Sequence, residues 1–552
     1  MKKTISLFLS LLLLLSLLSG CGGSEAETAA PAAPENAPAA DGTISQIVIG
    51  TTGVIETATR DEYNYEMLAT GATEIPLVSM DTEGQYHPLL ADYATEDAQT
   101  WTYTIREGMC WDDGVPVTAE DILFTLEYEE GTGSANFHDQ TDAEGNVTAA
   151  KYTDYSISED GRSISLTLAS PNVRELSAMV YFRVMPKHVY EGKDSVTEAE
   201  ARIGCGPFMF ESFSKEAGTV TFAPNPYYPE KPRVDKLVYR IFGNEDVMYM
   251  ALLNGDIDMT WNYSAGVSAS YQSVLAGDER VTLLNVPAAN MPAVLGFNNA
   301  KGFFADENLR LAVSCALDYE VFREYFGSEG SALPRRGAVP TTVVGYAETP
   351  ELSQDLAKAD EYMQKAGYVK NAEGRYVDGS GKAASFPLTV NSAKEAHVAY
   401  AEFIKTQLEG FGIAVELETL DSDSFNAKTS NKFSENNVTM EAAIYGYTSA
   451  GVGMVNGLAT IYVDGSHNVQ GGCQVFDEEF VAIRSEMAAA ATVEQYNAAA
   501  AKMQGYYADH APLIALFWDN MMYAHSSRLT NAWVDCNFGL NNAFNWYNIA
   551  LK

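Results

Sequence analysis

Residues 101–106 (WTYTIR) alternate aromatic or β-branched side chains with polar ones, which predicts a strand with one buried face. Trp111–Pro116 reads as a turn, with Gly114 free to take positive φ and Pro116 fixing φ. Thr118 then offers a helix cap, and Ala119, Ile122, Leu123 and Leu126 fall on one helical face. The same two periods recur along the chain. They predict strands at 44–51, 163–168, 207–213, 218–223, 234–241, 257–260, 294–298, 386–391, 413–419, 440–444 and 512–518. Helices are predicted at 63–68, 173–183, 245–254, 306–317, 356–366, around 400–408, 477–491 and 494–508. Strand, helix, strand in this order after residue 291 implies parallel pairing through crossovers, so the fold class is α/β. Residues 131–155 are Gly- and Asp-rich and are expected to form an exposed loop or hairpin. Within it, 142–146 lacks the alternating ligand spacing of a calcium loop.

Several ordered motifs resemble those of the family 5 extracellular solute-binding proteins, the peptide, oligopeptide and nickel receptors of ABC importers. The first comprises Trp101, Arg106, Gly108, Asp113, Gly114, Pro116, Thr118, Ala119, Glu120, Asp121 and Phe124. Tyr65, Asp81, Gly84, Pro88, Leu90 and Ala91 precede it. Met185–Val189, Gly204–Phe208, Asn225–Tyr228, Gly255–Asp258 and the segment ending at Asp318 follow in the family's order. The resemblance implies a two-lobed, periplasmic-binding-protein-like fold of type II with an extra subdomain in lobe 1. Lobe 1 would span 44–290, with the insertion at about 65–205, lobe 2 would span 291–518, and 519–552 would return to lobe 1. Hinges are expected near Asn285–Met291 and Trp518–Met522.

Composition narrows the role. With 552 residues, 46% hydrophobic and 20% charged, the chain has enough apolar material for more than one core. A formal charge of −39 repels phosphate backbones, which excludes nucleic acid as a partner. Lys2 and Lys3 followed by an apolar run from Ile5 to Leu18 form a targeting segment, too short to span a membrane at roughly 20 residues. Leu18-Ser19-Gly20-Cys21 resembles a bacterial lipobox, so 1–20 is expected to be a signal peptide and Cys21 a lipidated first residue. Residues 21–43, rich in Ala and Pro, would be a disordered spacer. The five remaining cysteines are widely spaced and odd in number, which indicates neither a disulfide framework nor a zinc site.

The chain has no phosphate-binding loop, no HExxH and no GxSxG, and its seven histidines include no helical i, i+4 pair. No enzyme, cofactor or metal site is therefore expected. Binding residues are sought beyond the carboxyl ends of strands, where α/β lobes gather ligands. That rule selects Trp261, Asn262 and Tyr263 after strand 257–260, and Tyr445, Tyr447 and Thr448 with Gly446 after strand 440–444. Asn298 and Trp518 close strands expected beside the hinges. Each of these could equally be core packing or ordinary surface. In peptide-binding relatives the segment after Gly446 supplies an Asp for the ligand's α-ammonium; here Ala450 stands in that place. The ligand then lacks a free amino terminus, or an acid comes from another loop, or the register differs.

The expectation is a monomeric, lipid-anchored receptor on the outer face of the cell membrane. It would capture a small solute, an oligopeptide or similar, between its lobes and pass it to an ABC permease with its partner ATPase. An exported hydrolase or a sensory receptor without a transport role are the alternatives.

Overall fold

The computed structural model describes residues 42–132, 140–141, 147–149, 151–263, 265–430, 437–448 and 472–552. The signal segment, Cys21, the acid-rich turn at 142–146 and Ala450 lie outside the described residues.

The strands that matter here are, in chain order, β1 (Ile47–Thr51), β2 (Ala91–Ala94), β3 (Thr100–Ile105), β4 (Tyr152–Ile157), β5 (Ser163–Leu168), β6 (Phe208–Ser214), β7 (Thr219–Pro224), β8 (Leu237–Ile241), β9 (Met259–Thr260), β10 (Val281–Phe297), β11 (Ser385–Asn391), β12 (Ala414–Leu420), β13 (Ala442–Thr448) and β14 (Leu513–Ser526). Ten of them form one sheet in the order β6-β7-β8-β1-β9-β14-β10-β13-β11-β12. A separate four-stranded sheet, β2-β3-β5-β4, is built by the segment inserted after β1. The helices are α1 (Ala119–Thr132), α2 (Glu245–Asn254), α3 (Glu307–Ala316), α4 (Glu395–Phe411), α5 (Glu478–Ala488) and α6 (Val493–His510).

Two long antiparallel strands, β10 and β14, belong to both ends of the large sheet. Their first-half portion pairs 281–286 with 521–526, and their second-half portion pairs 293–296 with 513–517. Between them the register is interrupted, from Val286 to Asn290, from Asn290 to Ala293 and from Ala293 to Val294. The sequence reading placed only 294–298 and 512–518 in strands. Pro287 and Pro292 break the apolar alternation, and a proline inside a run argues against a strand.

The second half has a core on each face. Leu295, Ile444, Ile514 and Leu516 pack with α3 and α4, while Val294, Ala443, Tyr445, Leu513 and Ala515 pack with α5 and α6. This is the period-2 alternation of a strand buried on both sides. β11 pairs in parallel with both β12 and β13, as the strand–helix–strand order predicts. In the first half, β1 buries Ile47 and Ile49 against a cluster that also takes in Phe538, Leu540, Trp546 and Ile549. The last residues of the chain therefore pack with the first strand.

The motif residues of the insertion hold one another. Asp112 N donates to Gly204 O at 2.9 Å, and Gly204 N returns a bond to the Asp112 carboxylate at 3.2 Å. The Asp121 carboxylate accepts from Thr118 N (2.8 Å), Thr118 Oγ1 (3.1 Å) and Lys187 N (2.9 Å). Thr118 thus donates to Asp121 where the sequence reading expected it to accept as a helix cap. Gly206 N donates to Thr73 O, and a Cβ at Gly204 or Gly206 would strike the backbone of Ala72 and Thr73. Burial lifts both carboxyls above their usual range, that of Asp112 to about 6.

Two expectations change. The helix read at 173–183 shrinks to Leu176–Met179, because Asn172 turns the chain by accepting Arg174 N at 2.9 Å. The strand read at 257–260 shortens to β9, since Asp258 turns aside to accept Val48 N at 2.8 Å.

Asp258 also meets Arg528, whose Nε lies 2.9 Å from its Oδ1, and this pair ties the returning carboxyl-terminal segment to β1. R528M leaves the buried carboxylate without its counter-charge. It should cost about 2–4 kcal/mol, a buried-pair loss reduced because Arg528 is partly exposed. Urea unfolding of the two chains checks this, and an unchanged midpoint would refute it.

Candidate functional site

The parallel strands of each half end at the crossing of β10 and β14. In the first half β9 lies parallel to β1, Ile49 beside Met259 and Gly50 beside Thr260. β9 also lies antiparallel to β14, Met259 beside His525. Residues following 260 therefore run alongside 523, 522 and 521, toward the interrupted region. Val267 N donates to Met522 O at 2.7 Å, and a Cβ at Gly266 would fall 2.7 Å from the same oxygen, so only glycine admits this approach. In the second half β13 runs antiparallel to β10, Phe297 beside Ala442 and Asn290 beside Thr448. Its carboxyl end likewise reaches the interruption, and β11, parallel to β13, runs the same way.

At the first-half edge, Asn262 joins the ends of β1 and β9. Its Oδ1 accepts from Thr52 N (2.8 Å), Thr51 Oγ1 (3.0 Å) and Thr52 Oγ1 (3.1 Å). Trp261 is buried; its backbone N–H donates to Gly50 O, and its Nε1 donates to Phe538 O at 2.7 Å. Tyr263 is half-buried, with its ring centroid 5.9 Å from that of Phe538. Tyr181 packs on the same Phe538 ring and donates its hydroxyl to Asn537. The edge thus combines Thr52, Gly53 and Tyr263, all half-buried, over a rigid base of Trp261, Asn262 and Phe538.

The other selected residues sit differently. Tyr445 lies in the core under α5 and α6, its hydroxyl donating to Thr429 O at 3.3 Å and to Met440 Sδ at 3.0 Å. Burial drives its phenol well above the usual tyrosine range. Trp518 is at the crossing in sequence, between Phe517 beside Ala293 and Asp519 beside Asn290, but its side chain is 2% exposed in the same core. Asn298 was expected beside a hinge. It follows the last residue of β10, eight positions past Asn290, which at about 3.3 Å per residue is about 26 Å away. Fully buried there, it donates to Met440 O and accepts from Ala300 N and Lys301 N, so it turns the chain at the far end of the half. The backbone of Tyr447 and Thr448 pairs with Met291 and Asn290; their side chains lie outside the described residues.

The sequence reading omitted Thr51, Thr52 and Gly53, although the strand-end rule applied to β1 would have selected them. It also omitted Asp519 and Asn520, which pin the crossing strand to a neighbouring loop. Asp519 Oδ1 accepts from Ser328 N at 3.3 Å and from Ser328 Oγ, and Asn520 Nδ2 donates to Glu329 O at 3.0 Å. Burial raises the Asp519 carboxyl while these donors oppose it. Among the described residues no group of three or more His, Cys, Asp or Glu is placed to hold a metal ion.

The family profile described as bacterial extracellular solute-binding proteins, family 5 (middle) matches residues 85–465. The chain belongs to this family. Its members bind solutes and are not enzymes. Among relatives, the probable D,D-dipeptide-binding periplasmic protein DdpA of Escherichia coli (strain K12) is 26% identical over 307 residues, 55% of this chain and 56% of that protein. The matched stretches span 56%, 64%, 61% and 65% of the lengths of the first curated relatives. Two solved structures share the mixed α/β fold over 92% of this chain. One is a putative peptide-binding protein AppA from Clostridium difficile, with TM-score 0.74, 21% identity and 100% of that chain covered. The other is NikZ from Campylobacter jejuni in complex with Ni(L-His), with TM-score 0.70, 18% identity and 99% covered.

Asn262 is the test of the first-half edge. N262A leaves three donors without their acceptor and should cost about 1–3 kcal/mol. N262D keeps an oxygen in place and should lose less. Thermal unfolding of the pair checks this, and equal losses would show that the oxygen is not what joins the strands.

Proposed function

We propose that the two halves of the large sheet act as lobes that close on a small solute and deliver it to the permease of an ABC importer. One observation carries this reading: the carboxyl ends of the parallel strands of both halves point at the interrupted stretch of β10 and β14. A break in pairing there lets the halves rotate while each keeps its own core. A solute touching both sets of strand ends binds the closed form better than the open one, and that difference shifts the equilibrium.

The first-half contacts are Trp261, Asn262 and Tyr263 together with Thr52 and Gly53. The second-half contacts are Tyr447 and Thr448. Tyr445 and Trp518 act as the frame behind them, and Asn298 holds the opposite end of that half. The solute is an oligopeptide or a polar molecule of similar size. One relative is named for D,D-dipeptides, and one solved neighbour holds Ni(L-His), so the family's scaffold serves more than one solute class. The energy for transport comes from the importer's ATPase, because this chain carries no phosphate-binding loop.

Mass spectrometry of material released from the purified full chain identifies the solute, and titration calorimetry with it should saturate at one site. Y263A should weaken that binding about tenfold or more, the effect of about 1.4 kcal/mol. Absence of any saturable solute, or recovery of a chemically altered one, would overturn the reading.

Cys21 is the proposed lipid anchor, and two acyl chains give stable membrane attachment where one is marginal. C21S should move the protein from the membrane fraction to the medium or periplasm, read by fractionation. A variant that stays with the membrane would refute lipidation at this residue.

A further inference from the structure

The halves also meet away from the crossing strands. The insertion carries a turn after β5, held at its start by Asn172 N donating to Ala98 O at 2.7 Å. From this turn Val173 N donates to Ala490 O at 2.8 Å, in the loop between α5 and α6. Among the described residues this is the one backbone hydrogen bond that joins the halves outside β10 and β14. The Val173 side chain packs against both the first-half core and the α5–α6 core. Next to it Arg174, 9% exposed, sets its guanidinium over the ring of Tyr496, with Cζ 5.2 Å from the centroid. Tyr496 lies in the first turn of α6, is 1% exposed and belongs to the second-half core. Burial pushes its phenol up to about 12, against the pull of Arg174. Arg174 acts in the same sense on Tyr86, a half-buried residue of the insertion.

We infer that Val173 and Arg174 on the insertion, with Ala490 and Tyr496 on the second half, form a latch that favours closure before any solute arrives. This rests on the hinged reading above. A cation over an aromatic face contributes most when both are withdrawn from water, as here. The latch lies outside the strand-end face, so it stabilises the closed form equally for every solute. It therefore sets the baseline of the open–closed equilibrium, and through it the apparent affinity, while the strand ends set selectivity.

The test uses the full chain stripped of co-purified solute, with Cys110→Ser and nitroxides placed at the exposed positions by Asp154→Cys and Glu361→Cys. Double electron–electron resonance reads the distance between the halves without added solute. The expected result is a short and a long distance in the otherwise unaltered chain. R174M and Y496L should each lower the short-to-long ratio by about 2- to 30-fold. The double variant should go no lower than the stronger single one. Two distances whose ratio neither variant moves would overturn the latch and leave the hinge standing. One fixed distance in the unaltered chain would overturn both. The two substitutions lie on opposite halves, and circular dichroism confirms folding, so either variant that folds carries the test.

Discussion

The large sheet passes from one half to the other through a single antiparallel pair, β10 and β14, and the rest of the structure depends on where that pairing is interrupted. On either side of the interruption the ladder is regular and side chains of the pair enter the core clusters of their own half, so each end of the pair is fixed to its own core. Between them, Pro287 and Pro292 lack the N–H that a ladder would need. A strand can lose register at such residues without orphaning a buried donor, which is why the sheet yields there and not inside either half. The loop 328–332 then steadies the second-half side of the break through Asp519, Asn520 and the backbone pairing of Ala332 with Trp518.

The motifs that mark the family do a different job. Asp112 and Gly204, Asp113 and His188, and Asp121 and Lys187 are distant in sequence but bonded in space, so three motif segments close one polar seam beneath the inserted sheet. Asp112 and Asp121, withdrawn from water in this way, survive only because backbone N–H groups meet them, while the Asp113–His188 pair stays part-exposed. These three segments build the insertion, and the insertion supports the first-half edge through Tyr181 against Phe538.

Much of this was legible in the sequence because local chemistry and fold agree. The helix 245–254 was readable to the residue: Asn244 accepts Val247 N at its start, and Gly255 takes φ of 80° at its end. The alternation of β5 and the Asp306 cap of α3 were equally plain. The long strand β10 was not, since its prolines mimic a boundary and its partner lies more than 200 residues away. Burial of the aromatic candidates was also beyond reach. Tyr445 was expected to follow a strand at 440–444 but lies inside β13, and Trp261 follows β9; only the three-dimensional neighbours show that both are buried, one under α5 and α6 and the other in the first-half core behind the edge.

Placement of those aromatics has a mechanical consequence. Tyr445 and Trp518 are locked into the second half by packing and internal hydrogen bonds, so they cannot adapt to a solute and they fix where the end of β13 stands, while Asn298 holds the chain at that strand's start. The first-half edge is held just as firmly by Asn262 and Trp261. On the proposed reading, closure brings this preformed first-half edge toward the end of β13 without remodelling the edge. Affinity in such an arrangement depends on the fit between the surfaces and on the intrinsic bias of the hinge, because little conformational entropy remains to be lost on binding. A scaffold of this kind can change its solute by altering side chains at a few strand ends while the crossing strands and the buried carboxylates stay as they are.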